Sequence, residues 1–195
     1  LDRVKSYLGM NMDGSVIYTA VRKSVLQNNN ILFLPGLHED IDVIFKIYWN
    51  SNIIKGITKN LYLKRDRAGS IVRTLSETHI IGYHRAWNEI GSFTKKEVST
   101  TQWDTYQSCF LSGITGATAI VILKIFYSFS GDKYTRERMY EFAYECYLQF
   151  YHCFVKGRKL PQKTNYDRIA VKFLEVYKTN QSLIEKREIL DAYIK

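Results

Sequence analysis

The stretch from Tyr134 to Lys156 constrains the fold more than any other part of this chain. It is long enough for a single helix and carries tyrosines at positions 140, 144, 147 and 151. Glu137, Glu141, Glu145, Gln149, His152 and Lys156 form a second, polar stripe, and almost everything else there is apolar or aromatic. A helix with so wide an apolar surface must be enclosed by other elements or by a partner. Tyrosine at this spacing is more often a half-buried rim than a ligand platform, and a subunit interface produces the same stripe.

The chain has 195 residues, enough for one domain (1–195) with its own core. The alternative is a subdivision into a mixed α/β part, 1–92, and a helical part, 100–195. A hydrophobic content of 46% with 24% charged residues excludes a disordered chain. Aromatics are abundant, at 14%, and suit interfaces and stacking platforms as well as cores. The formal net charge of +9 predicts attraction to phosphate-rich or acidic partners. The plain alternative is a basic surface that only keeps the protein soluble. No long Lys/Arg run occurs, so a cationic face would have to be assembled by folding.

Cys109, Cys146 and Cys153 contain no C-x-x-C pair, which excludes a zinc ribbon of the usual form. Buried, reduced thiols and an intracellular setting (cytoplasmic, or within a virion or ribonucleoprotein) are expected from them. Leu1 to Asp13 has no apolar core of the kind that marks a signal peptide. Cys109 to Phe129 has about the length of a membrane span, but Lys124 lies inside it and Ser112, Gly113 and Gly116 dilute it. A buried helix or strand is the expected form of that segment.

Local patterns predict an α+β fold, with a β-containing N-terminal half and a helical C-terminal half. A predominantly α-helical fold is the alternative. Ile31 to Leu34 reads as a short strand. Ile41 to Trp49 satisfies both the strand and the helix template, and periodicity alone does not decide between them. Ile57 to Lys64 and Ser70 to Leu75 read as a hairpin joined by Arg65-Asp66-Arg67-Ala68-Gly69. Ser76 would cap a helix ending near Ile90, with Gly91-Ser92 as its stop. Thr101 to Asp104 resembles a capping box, and helices are expected over 102–112, 135–155, 166–178 (capped by Asn165) and 183–194. The last begins with a proper box, Ser182-Leu-Ile-Glu185.

His38-Glu39-Asp40-Ile41-Asp42 is the densest group of potential metal ligands, yet Asp replaces the second imidazole that a zincin motif needs. A helix start rich in carboxylates explains the same residues, and no metal is expected. Arg73 and His79 loosely resemble the R-x4–6-H pattern of HEPN ribonucleases, in a segment that reads as strand rather than helix. His79, His84 and Arg85 form a polar edge beside Trp87, where one of them would contact a phosphate. There is no P-loop, no G-x-G-x-x-G, no G-x-S-x-G and no D/E-x-K, so common phosphate loops, the hydrolase elbow and a large nuclease class are missing. No cofactor is expected.

Basic residues interleave with aromatics in two places: Tyr62, Lys64, Arg65 and Arg67, and Arg158 and Lys159 after the tyrosine-rich helix. With Arg85 as a further cation and Tyr151 as a stacking ring, these are the expected nucleic-acid contacts. The leading expectation is a non-catalytic protein that binds nucleic acid, RNA above all, and self-associates: a viral nucleoprotein, capsid or matrix-like protein, or a ribonucleoprotein subunit. The alternatives are a peripheral protein on an acidic membrane surface, and a small ribonuclease or metal-dependent hydrolase using His38, Glu39 and Asp42, or His79 and His84.

Overall fold

The computed structural model describes residues 2–12, 14–65, 75–129, 131 and 133–195. The protein is 67% helical, with no strand among the described residues, so the expected β-containing half is not there. The architecture is the predominantly helical alternative. Its helices are α1 (Asp2–Leu8), α2 (Lys23–Asn28), α3 (Ile41–Asn50), α4 (Glu77–Glu97), α5 (Thr100–Ser128), α6 (Lys133–Phe150), α7 (Asn165–Tyr177) and α8 (Leu183–Ile194). A 3-10 turn spans Val16–Tyr18, and α6 loosens into a π-helical turn over Tyr151–Val155.

Helix α5 is the central rod, with α1, α4, α6 and α7 packed on it. It is apolar around most of its circumference, and such a helix needs neighbours on every side. By length and hydropathy it would also pass for a membrane span, with 61% of its most apolar window buried inside the protein. Two hydrophobic cores lie along it. One joins Phe110, Leu111 and Ile114 of α5 to Leu8 of α1, Val43, Ile44 and Phe45 of α3, and Trp87 and Ile90 of α4. The other joins Val121, Ile122 and Ile125 to Tyr140 and Ala143 of α6, Phe173 of α7 and Leu190 of α8.

Several local expectations fail for identifiable reasons. Ile41–Asn50 is helical because Val43, Ile44 and Ile47 must all face one core, which alternation would split between two faces. The segment 31–34 pairs with no strand among the described residues: Ile31 N donates back to Leu26 O at 2.9 Å, Leu32 and Phe33 are exposed, and the following carbonyls of Pro35 and Leu37 accept from Arg85. Residues 57–65 form irregular exposed chain, and 70–74 of the proposed hairpin lie outside the described residues.

Helix α4 does not stop at Gly91. A Cβ there would lie 2.6 Å from Phe154 and 2.7 Å from Phe110, so this glycine permits close packing rather than breaking the helix. Helix α5 starts two residues before the expected Thr101 box. Ser99 Oγ accepts from Gln102 N at 3.3 Å, and Gln102 Oε1 accepts from Ser99 N at 3.1 Å. Helix α7 is capped by Thr164 with Asp167 rather than by Asn165. The Ser182–Glu185 box opens α8 as expected.

Candidate functional site

The expected nucleic-acid contacts fall into two groups. Residues 51–65 run from the end of α3 as exposed chain, bearing Lys55, Lys59, Lys64 and Arg65 and no carboxylate. The Tyr62 ring packs edge-on against Tyr18, 6.0 Å between centroids, which ties the segment to the 3-10 turn. Arg67 lies outside the described residues, as does Arg73. The second group follows the π-helical turn, where Gly157 takes φ +79° and lets Arg158 N donate to Val155 O at 2.8 Å. Lys156, Arg158, Lys159 and Lys163 are all exposed there. The Tyr151 ring is outside the described residues.

Two cations already have internal duties. Both Nη atoms of Arg85 donate to the carbonyls of the Pro35–Leu37 turn, so its charge is directed at the backbone. Arg158 Nη2 lies 3.3 Å from Asp104 Oδ1, with both side chains more than half exposed. An exposed pair of this kind contributes about 0–1 kcal/mol, so it holds Arg158 only weakly. Lys95, which the sequence did not single out, donates to Cys153 O at 3.0 Å and lies 4.6 Å from the Phe154 ring. It pins the C-terminal end of α4 to the start of this second basic group.

The acidic run at 38–42 is structural in part. Asp42 is fully buried and pairs with Lys46 at 2.8 Å, one turn along α3. Asp40 Oδ2 accepts from Val16 N at 3.2 Å. Among the described residues no three His, Cys, Asp or Glu side chains come together as a metal site. His79 Nδ1 is 2.8 Å from Ser76 Oγ, and His84 Nδ1 donates to Ile80 O at 2.9 Å from a buried position. The histidines therefore hold helix α4 and its cap.

His38 differs from His79 and His84. It sits in the left-handed region at φ +60°, with its ring stacked on Tyr83 at 3.7 Å and 29°. Lys124 Nζ lies 5.5 Å from the same Tyr83 ring, and His79 is 5.7 Å from His38. Burial first, then the charges of Lys124, His79 and Arg85, push the His38 imidazole down to about 4. Burial also lowers Lys124. These groups line or flank a cavity of about 470 Å³ whose other walls include Met10, Met12, Trp87 and Ile120. Sequence reasoning missed this constellation. Its one legible signal was Lys124, the single charge in an otherwise apolar stretch.

His38 folds neutral, whereas the unfolded chain takes up a proton near pH 6.5. Its contribution to stability is complete above that pH and is lost as pH falls towards about 4. His84, also lowered by burial, acts in the same direction. The melting temperature should fall across this window, and His38→Asn should flatten the fall, since Asn tolerates positive φ and does not titrate there. An unchanged slope in that variant would assign the acid sensitivity elsewhere.

Comparison with known proteins supplies no relative: no family model matches the chain, and no curated protein or solved structure is significantly similar to it.

Proposed function

We propose that this protein binds nucleic acid, RNA in particular, and self-associates, with no catalytic step of its own. The observation that carries the reading is the segment 51–65. Ile53, Ile57, Leu61 and Leu63 are 78%, 67%, 73% and 92% exposed there, beside four cations and no acid. So much uncovered apolar surface on one strip of chain is uncommon on a monomer and calls for a cover, which a second copy of the chain supplies. The cations of the same strip would meet phosphates, with Tyr62 as a stacking ring. Arg158, Lys159 and their neighbours would offer a second phosphate contact on the loop after the π-helical turn.

Affinity for single-stranded RNA should then fall linearly with the logarithm of salt concentration. Removing two cations with Lys64→Ala and Arg65→Ala should reduce that slope by about 1.4, at roughly 0.7 for each phosphate neutralised. Fluorescence anisotropy at several salt concentrations measures it. Tight binding that ignores ionic strength, or a double variant with the parental slope, would overturn the assignment. Ile57→Ser with Leu61→Ser and Leu63→Ser should lower the oligomeric state in size exclusion without altering the helical signal.

A second reading rests on the same strip, since alternating apolar and basic residues also suit an anionic lipid surface. Flotation with anionic vesicles, in the absence of RNA binding, would favour it.

A further inference from the structure

We propose that the cavity between the 37–41 turn, α4 and α5 is a binding site for a small anionic molecule with an apolar or aromatic body, whose charged group is held by Lys124 and His38. The site is separate from the exposed basic segment and does not depend on it.

Lys124 is the first argument. A half-buried lysine in the last turns of an apolar core helix carries a desolvation cost unless something compensates its charge. Among the described residues no carboxylate lies within ion-pair distance of it, and its nearest aromatic partner is the Tyr83 ring at 5.5 Å. Both residues line the cavity. The ammonium therefore stands at the wall of a cleft open to solvent with only a weak cation–π contact, which is the state that an incoming anion relieves.

His38 is the second argument. Its Nε2 is buried and makes no hydrogen bond with any described group. Buried polar atoms are nearly always partnered, so one that is not marks a position where a ligand or solvent atom belongs. The ring is held rigidly for that purpose: it stacks on Tyr83, and its backbone is kept at positive φ by the turn that Arg85 grips. The charges that act on this imidazole, Lys124, His79 and Arg85, are all basic, while burial and then Asp40 push the stacked Tyr83 phenol up, so it stays protonated.

Carboxylates are present on the cavity wall, and they orient the ligand rather than exclude it. Asp40 is engaged by Val16 N–H, and Glu39 belongs to the 37–41 turn. An anion therefore sits at the Lys124 end. Met10, Met12 and Trp87 face the remaining space, and flexible thioethers beside an indole accept flat or aliphatic groups of varied shape. A volume of about 470 Å³ falls within the range of small-molecule sites.

The test uses the whole chain and two probes that share a charge but differ in source: adenosine monophosphate for a phosphate ligand, and decanoate for a carboxylate. Proton NMR follows the His38 Cε1–H, with isothermal calorimetry for affinity. At least one probe should saturate, shift the His38 resonance and raise its midpoint from about 4. Lys124→Met should weaken that probe by about tenfold to a hundredfold, the loss expected for one charge-assisted contact. The variant should stay folded, because methionine removes a half-buried charge and keeps the chain length. Saturation by adenosine monophosphate alone assigns a phosphate ligand, and by decanoate alone a carboxylate. Silence from both, or binding unaltered by Lys124→Met, overturns the proposal. RNA affinity in Lys124→Met should match the parent, which keeps this result apart from that of the basic segment.

Discussion

Arg187→Ala should destabilise the protein by about 3–5 kcal/mol, the range for removing one partner of a buried ion pair. Arg187 lies on α8 with its side chain about 10% exposed, and its Nε donates to Glu137 Oε1 of α6 at 2.7 Å. Its Nη1 is 3.7 Å from Asp191 Oδ2, to which Arg136 is also 3.7 Å away. Tyr140 OH donates to the other Asp191 oxygen at 3.2 Å. Burial, and then the Asp191 carboxylate, push the Tyr140 phenol up, so it stays protonated and keeps donating. Deleting the guanidinium leaves Glu137 without its strongest partner in a buried site. For a chain of this size the melting temperature should fall on the order of 10 °C. Arg187→Met combined with Glu137→Met should lose far less than the single alanine, because no charge is then stranded. If the single and the double variant melt alike, the network is not what fastens α8 to α6.

Gly113→Ala should cost at least about 2 kcal/mol, against the usual sense of such a change. Glycine to alanine inside a helix ordinarily stabilises by roughly 1 kcal/mol. Here the added Cβ would stand 2.1 Å from the Leu8 carbonyl oxygen and 2.2 Å from Trp87 Cη2. Neither obstacle can move cheaply. Leu8 ends α1, which Arg3 ties to the Tyr48 carbonyl at 2.8 Å, and Trp87 is buried in the same core. Gly116→Ala is the graded comparison, since its Cβ would meet only the Met10 thioether at 2.7 Å, the flexible end of a side chain. Gly56→Ala meets nothing within 4 Å and should be neutral or slightly stabilising. Thermal melts of the three variants should therefore rank Gly113 worst and Gly56 mildest. Equal behaviour at all three would mean that α1 does not seat on α5 this closely.

The last three helices were legible because their signals are local, whereas the helix expected over 102–112 runs on as one element to Ser128. Ser182 and Glu185 identify the start of α8 by themselves, and the tyrosine spacing of α6 allows little besides a helix. The N-terminal half was not, because short apolar runs such as 31–34 and 41–49 carry no periodicity that survives without their neighbours. Ile41 to Trp49 becomes a helix only through the core that Val43, Ile44 and Phe45 share with Leu8 and Trp87. Gly91 and Gly113 read as helix breakers or diluents in sequence, yet they are where rings and carbonyls approach the backbone. The same holds for the cavity. Nothing in the linear order brings His38, Tyr83 and Lys124 together; three different elements meet to do it.

One consequence follows from α5 serving both hydrophobic cores. Its middle turns, around Ile114 and Val121, have no neighbour that they could abandon without opening one side or the other. A cavity cut at Ile114 therefore weakens the first core and one cut at Ile122 the second, and either loss loosens the seat of the same helix.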